Sequence, residues 1–131
     1  MSEIVANVKE IQNVENLNIV TFVSSNNTFK MMSLGLNENI KISTQVKLSI
    51  KPSSVAIAKG LSGALSYSNQ LHAKVVSIEL GEILASVILD IQDTNLESII
   101  TSASLKRMTL QVGDEVLALI KSSDLSILEI I

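Results

Sequence analysis

The chain has 131 residues, 47% of them apolar, and a formal net charge of −3 from ten basic and thirteen acidic side chains. The acidic balance and the presence of only three aromatic residues argue against nucleic acid as a partner. No apolar run approaches the ~18 residues of a membrane-spanning helix, and the first residues lack the pattern of a signal peptide. Because cysteine is absent, disulfides and thiolate metal sites are excluded, which fits a cytoplasmic location. The apolar surplus predicts surface buried between copies of the chain, that is, a homo-oligomer.

Two similar units follow one another along the chain. VKLSIKPSSVAI (46–57) matches VLALIKSSDLSI (116–127), and IVANVKEI (4–11) resembles LHAKVVSI (71–78). The stretch 58–68 between them is rich in glycine and serine, as is typical of a linker. The repeat predicts a diverged first unit over residues 1–60 and a second unit over residues 61–131.

Each unit has the pattern of five short strands. Runs rich in Val and Ile predict strands in the first unit over 4–11, 17–23, 29–34, 45–51 and 55–57. The same pattern predicts strands in the second unit over 71–80, 83–91, 96–101, 115–121 and 125–128. A short helix is expected over 101–108, where Thr101 or Ser102 can cap the first turn and Leu105 with Met108 gives an apolar face. With one short helix expected per unit, the pattern favours an all-β fold of two tandem OB-like Greek-key barrels.

No residue pattern indicates catalysis or direct metal binding. His72 is the single histidine, and no cysteine can serve as its fellow ligand. The serines lack an evident base, and the glycines are too scattered to form a phosphate loop. The sequence therefore predicts a binding protein and not an enzyme, with no organic cofactor.

Neutral hydrogen-bond donors are concentrated in the second unit. Thr101 and Ser104 lie three residues apart at the predicted helix start, where free backbone N–H groups favour an anion. Lys121 and Ser122 follow a strand and add a cation and a hydroxyl. Further hydroxyl and amide donors precede the strand at 71–80, namely Ser66, Ser68 and Asn69. Each residue alone has an ordinary explanation as a cap, a solvated side chain or a linker, but together they indicate an oxyanion site.

Three segments of the second unit, SxSNQLxAKVVSIExG, SIITxxSL and LxVGDEVLALIKSS, resemble the molbindin or Mop repeat of the TOBE group. The same repeat forms the C-terminal domain of the molybdate-responsive transcription regulator. The resemblance covers residues 66–128 and is weaker over 4–57, and two copies in one chain are similar to the tandem molybdate-storage proteins. It implies binding of molybdate or tungstate at interfaces between subunits, for storage, homeostasis or sensing, in a trimer or a dimer.

The resemblance also implies roles for individual residues. Thr101 and Ser104 would donate hydrogen bonds, Lys121 would supply charge, and Ser122 would supply a hydroxyl or an N–H group. A neighbouring protomer would contribute Ser66, Ser68 and Asn69 from its own N-terminal segment of the repeat. The family commonly has arginine at the position of Ser68, so a bidentate cationic donor is missing here.

The first unit keeps only part of this pattern. Leu36 takes the place of Ser104 and Pro52 that of Ser122, and proline removes an N–H group as well as a hydroxyl. The weaker candidates that remain are Ser33, Lys51 and Ser53. The first unit is therefore expected to be structural or to build a different site.

A tetrahedral dianion without hydrogens needs donors only, so a site of donors alone would favour molybdate, tungstate and sulfate-like ions over protonated phosphate. A second hypothesis is a ligand-free TOBE-like module that assembles copies or docks onto a transporter or regulator protein. Oligonucleotide binding, a third hypothesis, rests on analogy with other OB barrels alone.

Overall fold

The computed structural model describes residues 2–92 and 94–131 of the chain. These residues form ten strands and one α-helix: β1 Ser2–Val14, β2 Leu17–Ser24, β3 Asn27–Leu34, β4 Gln45–Ile50, β5 Ala56–Ala58, β6 Asn69–Leu80, β7 Leu84–Asp90, β8 Asn95–Thr101, α1 Ser102–Met108, β9 Glu115–Ile120 and β10 Leu125–Ile130. Two short 3-10 helices, Pro52–Ser54 and Ser122–Asp124, follow β4 and β9. No helix in these residues has the length and apolar content needed to cross a membrane.

The strands form where apolar and polar side chains alternate. In β1, Ile4, Ala6 and Val8 are buried while the residues between them are exposed, which is the period of two that a half-buried strand requires. All ten predicted strands are present, with ends shifted by a few residues. The all-β prediction is therefore confirmed at the level of the strands.

The α-helix is present in the second unit and has no counterpart among the described residues of the first. The hydroxyl of Thr101 caps α1 by accepting a hydrogen bond from the backbone N–H of Ser104 at 3.1 Å. In the first unit, Gly35 has a φ of +76°, and the Asn37 side chain accepts a hydrogen bond from the Asn39 N–H group at 2.8 Å. Such local side-chain bonds compete with a helix, so the expected helix per unit holds for the second unit only.

The two units exchange their last strands. One sheet has the order β10-β4-β1-β2-β3 and the other has the order β5-β9-β6-β7-β8. The chain therefore crosses from the first sheet to the second after β4 and crosses back after β9. The division at residue 60 remains a prediction about the repeat in the sequence, because each sheet contains one strand from the other unit.

The strand registers relate the two units by an approximate two-fold arrangement. Ser2 is paired with Ile50 in the first sheet, and Asn69 is paired with Ile120 in the second. The side-chain oxygen of Asn69 accepts a hydrogen bond from the backbone N–H of Lys30 at 2.7 Å, and its amide nitrogen donates to the Lys30 carbonyl at 2.9 Å. The Ser2 hydroxyl accepts from the backbone N–H of Glu97 at 3.0 Å in the equivalent place. These contacts tie each sheet to the other at a junction between the units.

The apolar interior runs through both sheets. Phe22 and Phe29 of the first sheet and Leu89 and Leu96 of the second are buried without measurable exposure and belong to one hydrophobic cluster. Burial on this scale is the main source of stability for a domain of this size. The continuous interior holds the junction, and the residues around it, in a fixed arrangement.

Candidate functional site

A groove lies where the chain crosses between the two sheets. Its volume is about 330 Å³, and we call it the junction groove. It is lined by the 3-10 helix and β5 of the first unit, by β8 of the second, and by residues flanking β6 and β10: Ser53, Ser54, Val55, Ala56, Tyr67, Ile99, Ile100, Lys121 and Asp124. Both units thus contribute to one concave surface.

Lys121 brings positive charge to the junction groove. It follows β9 in extended conformation, with φ of −67° and ψ of 147°, and its side chain is exposed. Ion pairs among the described residues use Lys47 and Lys59 as their cations, so Lys121 has no carboxylate partner within that part of the chain. Its ammonium group is therefore available to a ligand.

Thr101 and Ser104 meet at the start of α1, directly after the groove residue Ile100. The Thr101 hydroxyl donates to the Ser104 hydroxyl at 2.9 Å, and the Arg107 guanidinium donates to the same Ser104 oxygen at 3.1 Å. The Ser104 oxygen thus accepts two hydrogen bonds, which leaves its own proton free to donate. The structure brings these two candidates together at the start of α1, although neither lines the junction groove, and it adds Arg107 as a neighbour that the sequence did not indicate.

The three candidates that precede β6 have different environments. Ser66 and Ser68 are exposed, and Tyr67 between them lines the junction groove. Asn69 is buried, with 1% of its surface exposed. Its side-chain oxygen and nitrogen are both hydrogen-bonded to the Lys30 backbone. Within the chain, Asn69 therefore joins the two sheets, and its proposed contact with a ligand stays a prediction.

Three further candidates, Ser53, Ser122 and Lys51, lie in or next to the two 3-10 turns. Ser53 lines the junction groove, whereas Ser122 is half-buried beside it. Lys51 is exposed at the end of β4, in the position that Lys121 occupies at the end of β9. Only one of the two equivalent lysines, Lys121, lines the groove.

Ser33 lies in another part of the first unit. Its hydroxyl donates to the Gly35 carbonyl at 2.6 Å, and it lines a separate groove between β3 and β10. Strand register pairs Leu17 with Leu34 and Leu84 with Thr101, so the residue equivalent to Thr101 is Leu34. Ser33 therefore does not occupy the position equivalent to Thr101.

The junction groove also contains side chains that were not predicted as site residues. Tyr67 and Ser54 add hydroxyl groups, and Asp124 adds a carboxylate. Asp124 follows Lys121 by three residues, and its N–H donates to the Lys121 carbonyl at 2.9 Å. Both residues line the groove, and their short separation in the sequence was the available signal. The junction groove therefore contains an acceptor besides its donors, and the donor-only site expected from the sequence stays a prediction.

Two ion-pair networks fix the exchanged segments. A hydrogen bond from the Gln111 N–H at 2.9 Å and the Lys59 ammonium at 3.0 Å lower the pKa of Asp114, and Lys59 also donates to the Thr109 carbonyl at 2.8 Å. Glu129 of β10 lies 3.1 Å from Lys47 and raises its pKa, with a smaller contribution from Glu3 at 3.6 Å. These exposed pairs hold the linker and β10 in place and are not candidates for a ligand site.

Among the described residues, no group of three or more His, Cys, Asp or Glu side chains is placed to hold a metal ion. The site chemistry in this part of the chain is therefore that of hydrogen-bond donors, one lysine and one carboxylate.

Known proteins share this sequence and fold. Residues 65–127 match the TOBE domain. The probable molybdenum-pterin-binding protein of Haemophilus influenzae is 42% identical over 64 residues, which cover 48% of this chain and 93% of that protein. Molybdenum-pterin-binding protein 1 of Clostridium pasteurianum is 41% identical over 66 residues, which cover 50% of this chain and 97% of that protein. The chain belongs to the TOBE family of molybdenum-pterin-binding proteins. The resemblance noted in the sequence is confirmed.

A longer relative matches more of the chain. The molybdenum import ATP-binding protein ModC of Brucella abortus is 33% identical over 96 residues, which cover 72% of this chain and 26% of that protein. The chain thus spans about a quarter of the length of ModC.

Solved structures extend the likeness to the whole fold. The cytoplasmic molybdate-binding protein ModG, solved with molybdate bound, has a TM-score of 0.91 and 21% identity, covering 95% of this chain and 93% of that chain. A molybdate-binding protein from Sporomusa ovata has a TM-score of 0.50 and 33% identity, covering 51% of this chain and all of that chain. The prediction of two tandem OB-like units is confirmed by the ModG fold.

Proposed function

We propose that this chain binds the oxyanion molybdate, or tungstate, in the junction groove. The observation that carries the proposal is the placement of Lys121, which has no carboxylate partner among the described residues and shares one groove with the hydroxyls of Ser53, Ser54 and Tyr67. Relatives that this chain covers almost completely are named for binding molybdenum-pterin. That support favours oxyanion binding over a ligand-free docking module.

The chemistry of the groove suits an oxyanion. A lysine ammonium is a point charge with three donors, and hydrogen bonds from a cation to an anionic oxygen are about twice as strong as neutral ones. Hydroxyl groups rotate to donate, so Ser53, Ser54 and Tyr67 can each direct a proton to a ligand oxygen. A tetrahedral ion with four unprotonated oxygens can use all of these donors together.

We further propose that a second copy of the chain completes the site. The junction groove, at about 330 Å³, is open and larger than one small oxyanion, and Ser66 and Ser68 are exposed with no hydrogen bond to a described residue. These hydroxyls, together with the free proton of Ser104, can reach a ligand held on a neighbouring protomer. The role that follows is storage, homeostasis or sensing of the ion in the cytoplasm, by a trimer or dimer that performs no catalysis.

Titration calorimetry with molybdate, tungstate and sulfate tests the proposal on the full chain. We expect saturable binding of the two metal oxyanions and weaker binding of sulfate. Lys121→Gln should weaken molybdate binding about tenfold or more, because a charge-assisted hydrogen bond contributes about 1.5–3 kcal/mol. Lys41→Gln removes the same charge from an exposed loop and should leave the affinity unchanged.

Thermal unfolding gives an independent measure. Molybdate at one hundred times its dissociation constant should stabilise the fold by about 2.7 kcal/mol. The proposal is wrong if calorimetry detects no heat and the melting temperature does not move with any of the three oxyanions.

A further inference from the structure

A row of apolar side chains crosses one end of the first sheet. Strand register places Val14, Leu17 and Leu34 side by side on one face of β1, β2 and β3, and their exposed fractions are 72%, 41% and 83%. Two residues further along, Ile19 is paired with Met32 on the same face, and Met32 is 42% exposed. We call these five residues the apolar stripe. Large apolar side chains exposed as one continuous patch mark an interaction surface, whereas single ones do not.

Two side chains of opposite charge flank the apolar stripe. Register pairs Glu10 with Thr21 and Thr21 with Lys30, on the same face and two residues beyond the stripe. Both charged side chains are exposed, and neither belongs to an ion pair within the described residues. They lie on β1 and β3 with β2 between them, about 10 Å apart. A face with an apolar centre and one charge of each sign is complementary to a copy of itself, because Glu10 of one copy can meet Lys30 of another.

The corresponding end of the second sheet is polar. Strand register makes Thr101 the equivalent of Leu34 and Ser86 the equivalent of Ile19. The Ser86 hydroxyl donates to the Glu97 carboxylate at 2.6 Å on this face. The first unit therefore has apolar side chains where the second has hydroxyl groups, and this surface suits contact with a protein better than contact with an ion.

We propose that the apolar stripe is the surface through which copies of this chain associate, an inference that rests on the part of the proposed function that requires a second copy. The stripe of one copy packs against that of another, and removal of its apolar area from water drives the association. Glu10 and Lys30 lie at the rim and pair between copies, which fixes their relative orientation. An apolar centre without charges inside a polar rim is the usual composition of a protein interface.

Sedimentation equilibrium of the full chain, without molybdate, measures the association. We expect the unmodified chain to form an oligomer at micromolar concentration. Leu34→Glu places a carboxylate in the stripe and should raise the dissociation constant at least about tenfold, since an unpaired charge is costly to bury. Ile42→Glu is the matched control, because Ile42 is 65% exposed in a turn outside the stripe, and it should leave the association unchanged. Circular dichroism checks that both variants are folded.

An exchange of charges tests the contact at the rim. Glu10→Lys and Lys30→Glu should each weaken the association several-fold, because each places like charges opposite one another between copies. The double variant restores one charge of each sign and should recover most of the affinity between copies. Recovery of this kind distinguishes a contact between copies from damage to the fold of the single chain.

The outcomes separate this inference from the proposed function. A monomeric unmodified chain, or an oligomer that Leu34→Glu leaves intact, overturns the inference whether or not the chain binds molybdate. Failure of the double charge variant to recover also overturns it. Association that Leu34→Glu abolishes, in a chain that gives no heat with molybdate, supports the assigned surface and overturns the proposed function alone. Weaker molybdate binding by the dissociated Leu34→Glu variant supports both.

Discussion

Replacement of Asn69 by alanine tests whether the junction depends on this one side chain. The Asn69 amide makes two hydrogen bonds to the backbone of Lys30, at 2.7 and 2.9 Å, and it is almost completely buried. Asn69 begins β6 of the second sheet and Lys30 lies in β3 of the first. The substitution therefore removes a contact between the sheets and leaves both sheets otherwise intact.

The expected cost follows from the hydrogen bonds that are lost. A net contribution of about 1 kcal/mol for each bond gives about 2 kcal/mol. The truncation also leaves the N–H and the carbonyl of Lys30 without this partner, and an unsatisfied buried group costs about 1–3 kcal/mol. Partial access of water to the cavity lowers that cost, so we expect a loss of about 2–4 kcal/mol in the free energy of unfolding. That is a large share of the ~5–15 kcal/mol that stabilises an ordinary domain.

Urea unfolding, monitored by circular dichroism, measures the effect. Asn69→Asp keeps an acceptor for the Lys30 N–H but places an oxygen opposite the Lys30 carbonyl, so it should be destabilising as well. Ser2→Ala is the matched control, because Ser2 makes one hydrogen bond, to the Glu97 N–H at 3.0 Å, in the equivalent position. It should cost about 1 kcal/mol. A cost below about 0.5 kcal/mol for Asn69→Ala, or a larger cost for Ser2→Ala, would refute the reasoning.

Three further predictions concern strand exchange, a turn and pH. Leu125→Ala, at the buried first residue of β10, should cost about 2–4 kcal/mol and lower the hydrogen-exchange protection of β4 amides in the first unit, while Leu128→Ala, at an exposed position of the same strand, should change little. Gly81→Ala should lower the melting temperature, because a Cβ atom there would lie 2.5 Å from the Leu84 carbonyl oxygen. Asp114→Asn should reduce the melting temperature at pH 7. Because the folded chain lowers the pKa of Asp114, its contribution exists above the usual value of 3.8 and is lost as pH falls through the lower folded value. The difference from the unmodified chain should therefore shrink in acid, and a difference that grows in acid would contradict the sign.

The strands could be predicted from sequence because their signal is local. A half-buried strand alternates apolar and polar residues whatever it is paired with, as β1 and β6 show. The helix over 101–108 was also predictable, since Thr101 supplies a cap and Leu105 an apolar face. The exchange of β5 and β10 between the sheets could not be predicted, because the same alternation of apolar and polar residues is compatible with pairing to either sheet. The Asn69 contact was missed for the same reason, since it depends on the position of the other sheet.

The candidate site could likewise be predicted only where its residues are close together in the sequence. Lys121 was identified because a cation beside serines at a strand end is visible in the sequence. Its neighbours across the groove were not, because Ser54 and Tyr67 come from segments that the strand exchange brings to it. Asp124 was within reach through its spacing from Lys121, but the site was assumed to contain donors only.

Strand exchange also explains how a diverged first unit remains useful to the site. The Pro52–Ser54 turn crosses from the first sheet to the second, and this crossing places Ser53 and Ser54 opposite Lys121. Pro52 removes one hydroxyl and one N–H group, yet the two serines after it still supply donors to the groove. A residue change in either unit therefore alters one shared groove. This makes Lys51 and Lys121 unequal despite their equivalent positions, because Lys121 alone lines that groove.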